Sequence, residues 1–104
     1  MSTSWHDAAA AEDVWDGTGI PVTVAGRELA LFRVGDDLFA TGLYCTHGHA
    51  RLCDGFIEDF TVECPLHQGR FDLRNGAALC PPLTEPVATF PVRIDGGRVF
   101  VAFD

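Results

Sequence analysis

The sequence predicts one antiparallel all-β domain. Three observations carry this: short strand-like apolar runs recur along the chain, turn residues tolerant of positive φ separate them, and six prolines are spread over 104 residues. A chain of this length has room for a single ordinary domain with one small core. It can bury roughly 65% of its unfolded surface, a margin that a bound metal would widen. Each proline removes a backbone donor and fixes φ, so no long helix is expected.

From the N-terminus, residues 8–15 are the only stretch suited to a helical turn. The apolar run at its start is flanked by His6, Asp7, Glu12 and Asp13 and follows no basic segment, a pattern that fits neither an export signal nor a membrane span. Strands are expected at 20–24 and 28–34, joined by Ala25-Gly26, and at 38–41 after Gly35-Asp36-Asp37. Short runs at 56–58 and 61–63 follow, and Arg74-Asn75-Gly76 marks a further turn. Residues 87–94 and 98–103 close the chain as a hairpin about Asp95-Gly96-Gly97. Connections this short make neighbouring strands antiparallel. The strand pattern lapses at 44–54 and 64–70, which hold three of the four cysteines and three of the four histidines. Two irregular loops therefore concentrate the metal-binding side chains.

Fifteen acidic against seven basic residues give a formal charge of -8, and the chain has no lysine. That balance argues against a grip on nucleic-acid phosphates or an anionic membrane. It serves either solubility or steering toward a basic partner surface. With no export signal the cytoplasm is the expected compartment, so the four cysteines read as thiols or metal ligands rather than two disulfides.

The first loop reads Cys45-Thr46-His47-Gly48-His49-Ala50 and the second Cys64-Pro65-Leu66-His67-Gln68-Gly69: Cys-x-His, sixteen residues, then Cys-x-x-His. A two-residue step spans at most about 7 Å and a three-residue step about 11 Å, so each loop can reach two adjacent metal ions. If both thiolates take one iron and both imidazoles the other, the result is the asymmetric 2Fe-2S ligation in which two histidines replace two cysteines. Gly48 and Gly69 let backbone N–H groups approach bridging sulfides, while Pro65 and Pro81-Pro82 stiffen the surroundings.

These residues resemble the Rieske ferredoxin family. The match runs on through Cys64-Pro65-Leu66-His67-Gln68-Gly69-Arg70-Phe71-Asp72 to Ala78-Leu79-Cys80-Pro81-Pro82 and covers nearly the whole chain. It is similar in particular to the small ferredoxin components of bacterial aromatic ring-hydroxylating dioxygenases, near those of naphthalene, salicylate and anthranilate systems. The resemblance implies a Rieske-type β-sandwich, with a base from residues 1–44 and 85–104 and a cluster-binding part at 45–84. It implies one 2Fe-2S cluster, with Cys45 and Cys64 on the inner iron and His47 and His67 on the outer. In such systems a flavin reductase draws electrons from NAD(P)H, the ferredoxin carries them singly, and a terminal oxygenase activates dioxygen on the ring. The chain would then be a carrier with no catalysis of its own on substrate. The imidazole edges of His47 and His67 would be the electron exit and would lie at the surface. High-potential respiratory relatives add a disulfide between the loops and hydroxyl donors near the cluster. The matching positions here are Ala50, Leu66, Gly69 and Phe71, whose side chains donate no hydrogen bond. That implies a potential near the low end of the Rieske range, roughly -150 mV.

Other candidates carry less. His49 is read as a non-ligand because four ligands are complete without it, and Cys53 and Cys80 as packing thiols. His6 is read as surface or hydrogen-bonded filler. Trp5, Trp15 and Tyr44 are expected in the core rather than as electron relays. The acidic group Asp54, Glu58, Asp59 and Glu63 reads equally as a partner-facing patch or a solvated hairpin face. Two rivals remain. A structural zinc module would use two cysteines and two histidines, but with Cys-x(2 to 4)-Cys and His-x(3 to 5)-His spacings absent here. A small Rieske subunit of another oxidoreductase, such as a nitrite reductase, would keep the cluster and change the partner. A mononuclear iron oxygenase site, which needs two histidines and a carboxylate with open positions, is not expected, since only His6 and His49 remain outside the proposed ligand set in a chain too short for a catalytic domain.

Overall fold

The computed structural model describes residues 4–46, 48, 50–66, 69–80 and 85–103. In chain order the strands are β1 (Ser4–Ala10), β2 (Gly19–Val24), β3 (Arg27–Val34), β4 (Asp37–Gly42) and β5 (Phe56–Glu58). They continue as β6 (Thr61–Glu63), β7 (Arg70–Asp72), β8 (Thr89–Phe90), β9 (Val92–Asp95) and β10 (Arg98–Phe103). They pair into three antiparallel sheets of order β1-β10-β9, β2-β3-β4-β8 and β5-β6-β7, with no α-helix among the described residues. No helix of the described residues is long and apolar enough to cross a membrane.

The sequence of β3 explains how the sheets stack. Side chains on a strand alternate between faces, and Leu29-Ala30-Leu31-Phe32 is apolar at four successive positions, so both faces must be covered. Leu29 and Leu31 point into a core closed by Val99, Val101 and Phe103 of β10, which makes a sandwich of the first two sheets. Ala30 and Phe32 point the other way, into a second core with Leu43, Cys45, Leu52, Val62, Cys64, Phe71, Leu73 and Val87. Complete burial of a leucine or phenylalanine side chain contributes about 1.5–3 kcal/mol. One strand thus supports both the sandwich and the layer that carries the two cysteine-histidine loops. The β2–β3 turn follows from Ala25-Gly26, which take φ of 49 and 79, the mirror-image turn that matches strand twist.

The strands expected at 56–58 and 61–63 have those bounds, and those at 20–24, 28–34, 38–41 and 98–103 differ by a residue or less at either end. Residues 8–15 are the main correction. Ala8–Ala10 belong to β1, paired to β10 from Ser4↔Phe103 to Ala10↔Arg98, and only Ala11–Asp13 form a 3-10 turn. Long-range pairing overrides the helix preference of four alanines. The expected run 87–94 is broken at Pro91, which has no N–H for a ladder, so β8 pairs with β4 and β9 with β10. The aromatic expectation also fails: Trp15 is 73% exposed, and Trp5 and Tyr44 are exposed as well. Trp5 instead lies under the Arg93 guanidinium, 4.6 Å from its ring. His6 stacks on Phe103 at 4.3 Å, and its buried Nε2 has no hydrogen-bond partner, so it packs without being hydrogen-bonded there.

After β7 the chain reverses at residues 72–77. The buried Asp72 carboxylate accepts hydrogen bonds from the Arg74 backbone N–H at 2.8 Å and from its Nε and Nη2 at 3.0 and 2.9 Å. The guanidinium holds the Asp72 carboxyl below the usual carboxylate range. A carboxyl with a depressed folded pKa contributes stability above its unfolded value of about 3.9 and loses it as pH falls through the folded value. Arg74→Ala is therefore expected to be less stable than the parent chain near neutral pH, with the deficit shrinking as pH falls below about 4. Urea unfolding at both ends of that range checks this; a constant deficit would overturn it.

Candidate metal centre

Both cysteine-histidine loops are tips of antiparallel hairpins. In the first, Leu52 N–H donates to the Leu43 carbonyl at 2.7 Å, Tyr44 and Arg51 form a bridge, and Cys45 N–H donates to the Ala50 carbonyl at 2.9 Å. In the second, β6 and β7 pair as Thr61↔Asp72, Val62↔Phe71 and Glu63↔Arg70, and Cys64 N–H donates to the Gly69 carbonyl at 2.9 Å. Each tip therefore encloses four residues, 46–49 and 65–68, with a cysteine as the last residue of the rising arm. The backbone bonds fix where each cysteine leaves its arm.

Cys45 and Cys64 are 4% and 1% exposed and belong to one buried cluster with Leu43, Ala50, Val62, Phe71 and Val87. The fold thus places two cysteines, nineteen residues apart in sequence, in one core. His47 and His67, the proposed second half of the ligand set, lie outside the described residues, as do His49 and Pro81-Pro82. Thr46, between Cys45 and His47, ties the first tip to a distant segment, its hydroxyl donating to the Glu85 carbonyl at 2.9 Å. On the outside of the tips Leu66 is 68% exposed, with Tyr44, Thr46 and Pro65 also exposed.

Two buried cysteines, each opening one of two matched hairpin tips, are donors that soft iron–sulfur chemistry selects, and the two histidines that follow them in sequence complete a mixed set. The residues present fit a 2Fe-2S group. Cys53 belongs to the same core but arises from a 3-10 turn, Leu52–Asp54, packed on β2 and β3. Burial raises its thiol pKa, with the neighbouring Asp54 carboxylate adding to the effect, so it stays protonated at neutral pH. Arg51 holds Asp54 below the usual carboxylate range through a bond at 3.1 Å. Cys80 is half-buried.

Sequence reasoning passed over one feature of the tips. Each six-residue loop is followed by an arginine, Ala50-Arg51 and Gly69-Arg70, and each arginine meets acidic partners: Arg51 with Asp54, and Arg70 with Glu63 and Glu58. The repeat of Cys, four residues, a small residue and Arg was the signal that could have found them.

A family model described as the Rieske [2Fe-2S] domain matches residues 4–91. The chain is 50% identical over 101 residues to the naphthalene 1,2-dioxygenase system, ferredoxin component, of Pseudomonas aeruginosa, and the match covers 97% of each protein. Among solved structures it is similar to a Sphingomonas yanoikuyae B1 ferredoxin, with a TM-score of 0.89 and 35% identity over 94% of this chain and 97% of that one. It is also similar to a chain of a complex of reduced oxygenase and oxidized ferredoxin in carbazole 1,9a-dioxygenase. There the TM-score is 0.87 and the identity 39%, over 94% of this chain and 92% of that one.

Proposed function

This chain belongs to the Rieske [2Fe-2S] domain family, and on that premise we propose that it carries single electrons from an NAD(P)H-dependent flavin reductase to the terminal oxygenase of an aromatic ring-hydroxylating dioxygenase, in the cytoplasm. In this reading Cys45 and Cys64 are the thiolate ligands of the inner iron, His47 and His67 the imidazole ligands of the outer iron, and the imidazole edges the electron exit. Residues 45–84 act as the cluster-binding part on a base of 1–44 and 85–104. The observation that carries the reading is the pair of matched hairpin tips, each opening on a buried cysteine of one core. The oxygenase partner is supported by the likeness to a chain of the carbazole complex, and the aromatic system by the naphthalene relative.

When bound, the cluster supplies a one-electron couple. The rest is work of the chain. Cys45 and Cys64 hold their sulfurs out of water, where loss of a ligand proton is driven by the metal. The Cys45–Ala50 and Cys64–Gly69 backbone bonds and the Thr46–Glu85 tie fix the tips, which limits rearrangement between the two redox states. Ala50 and Phe71 are buried and apolar, so neither brings a hydroxyl to the sulfurs, which keeps the potential low. Exposed Leu66 and Tyr44 beside the tips give an apolar surface from which a docked partner can displace water.

The test is electron paramagnetic resonance of the purified chain before and after dithionite, with iron and zinc assays. The oxidised protein is expected to be silent and the reduced protein to give a rhombic 2Fe-2S signal. The same preparation should restore substrate turnover when added to a naphthalene-type reductase and oxygenase lacking their own ferredoxin. A colourless zinc protein overturns the electron-carrier reading. A signal without turnover in that system, but with turnover beside a nitrite reductase, moves the chain to the other oxidoreductase.

A further inference from the structure

The outer face of the β5-β6-β7 sheet carries a charge arrangement that the proposed ligand set leaves unused. Register places Phe56, Glu63 and Arg70 in one row and Glu58, Thr61 and Asp72 in the next, all on the face opposite Ile57, Val62 and Phe71. The Arg70 guanidinium reaches Glu63 at 3.1 Å and Glu58 at 3.6 Å, and its Nη1 donates to the Thr61 hydroxyl at 3.2 Å. Two carboxylates thus share one cation. Glu63 directly precedes Cys64, and Arg70 directly follows Gly69, whose carbonyl takes the Cys64 N–H. The triad therefore straddles the stem of the second tip.

We propose that Arg70 is a positioning and potential-setting residue: its charge offsets Glu63 and Glu58 at the stem of the Cys64 loop and holds the reduction potential of the site above the value the two carboxylates alone would impose. The inference rests on the reading of Cys64 as a cluster ligand. Adding an electron near uncompensated carboxylates is unfavourable, and a nearby cation opposes that. Burial decides which arginine matters. The Arg70 side chain is 26% exposed and Glu63 31%, so solvent screens this pair less than the one-to-one Arg51–Asp54 pair at 46% and 54%. Glu58, at 62%, is the more screened of the two acids. A unit charge at a separation on the order of 10 Å, in a medium of effective dielectric about 20 to 40, changes a one-electron equilibrium roughly four- to twentyfold.

The experiment is a redox titration, followed by the reduced-state resonance signal, of the full chain and of Arg70→Gln, Arg70→Lys and Glu63→Gln. Arg70→Gln is expected to disfavour reduction about tenfold, a shift of about 59 mV to lower potential for one electron. Arg70→Lys, which keeps the charge and loses the fork, should stay within about twofold of the parent chain. Glu63→Gln should shift the midpoint upward. Opposite signs separate charge from scaffold, because both Gln variants break the same ion pair and a purely structural role moves both alike. Shifts of the same sign, or no shift in either, overturn the proposal. Should Arg70→Gln fail to hold iron, the upward shift in Glu63→Gln with an unmoved Arg70→Lys carries the same decision, and an unmoved Glu63→Gln overturns it. A parent chain without iron or signal overturns the ligand reading, and this inference with it; a parent signal with unmoved midpoints overturns only the role of Arg70.

Discussion

Replacing Cys64 with serine is expected to give a colourless protein that keeps less than about a tenth of the iron and shows no signal after dithionite. The reason is selection by the donor: thiolate sulfur suits iron–sulfur chemistry and a serine hydroxyl, which stays protonated at neutral pH, does not. Position removes the usual rescue. Cys64 is 1% exposed at the end of a hydrogen-bonded arm, so no external ligand reaches it and the arm cannot slide to offer another residue. Cys53 shares the core but sits on a separate 3-10 turn, and its thiol is kept protonated by burial. Metal binding is coupled to folding, so the thermal midpoint should fall with the iron. Cys53→Ala is the matched control. It leaves a small cavity costing about 1–2 kcal/mol and should keep full iron and an unchanged signal. Iron retained in Cys64→Ser, or lost equally in Cys53→Ala, would sink the assignment.

What could be read from the sequence, and what could not, follows the range of the interactions involved. The two tips were legible because Cys-x-His and Cys-x-x-His lie within a few residues, and local spacing survives whatever the rest of the chain does. Strands β2 to β6 were legible through alternation and turn residues, both short-range signals. β1 was not: Ser4–Ala10 has an alanine-rich sequence with no strand-like alternation and becomes a strand only beside β10, more than ninety residues away at the Ser4↔Phe103 end. The exposure of Trp15 was hidden for a related reason, since apolarity alone does not say which side of a turn faces the core. Arg70 needed the register of three strands at once before its two carboxylates came into view. The burial of β3 on both faces was latent in its four consecutive apolar residues, yet only the sheets on either side say what covers each face.

Gly76→Ala is expected to lower the thermal midpoint of the iron-loaded chain by on the order of 12–40 °C, taking about 4–8 °C per kcal/mol for a domain of this size. Two separate penalties add. Gly76 has a φ of 79, and an alanine there costs about 1–2 kcal/mol in the left-handed region. The second is a collision: a Cβ at Gly76 would lie 2.0 Å from the Val87 carbonyl oxygen and 3.1 Å from Thr89 Cγ2. Backbone must then move. The segment that has to yield donates the Val87 N–H to the Gly76 carbonyl at 2.9 Å and carries the Val87 side chain into the core of Cys45 and Cys64. Losing that bond costs about 1 kcal/mol, and a partly vacated valine site about 1–2 kcal/mol more. The same segment includes Glu85, whose carbonyl receives the Thr46 hydroxyl, so iron should also leave the variant faster than the parent chain. Gly96→Ala separates the two penalties, because Gly96 also has a positive φ, 58, but a Cβ there meets nothing within 4 Å. That variant should show the conformational cost alone, about 1–2 kcal/mol, with iron release unchanged. Equal melting losses and equal iron release in the two variants would mean that the approach of the 85–90 segment to the 72–77 loop contributes nothing to holding the cysteine core together.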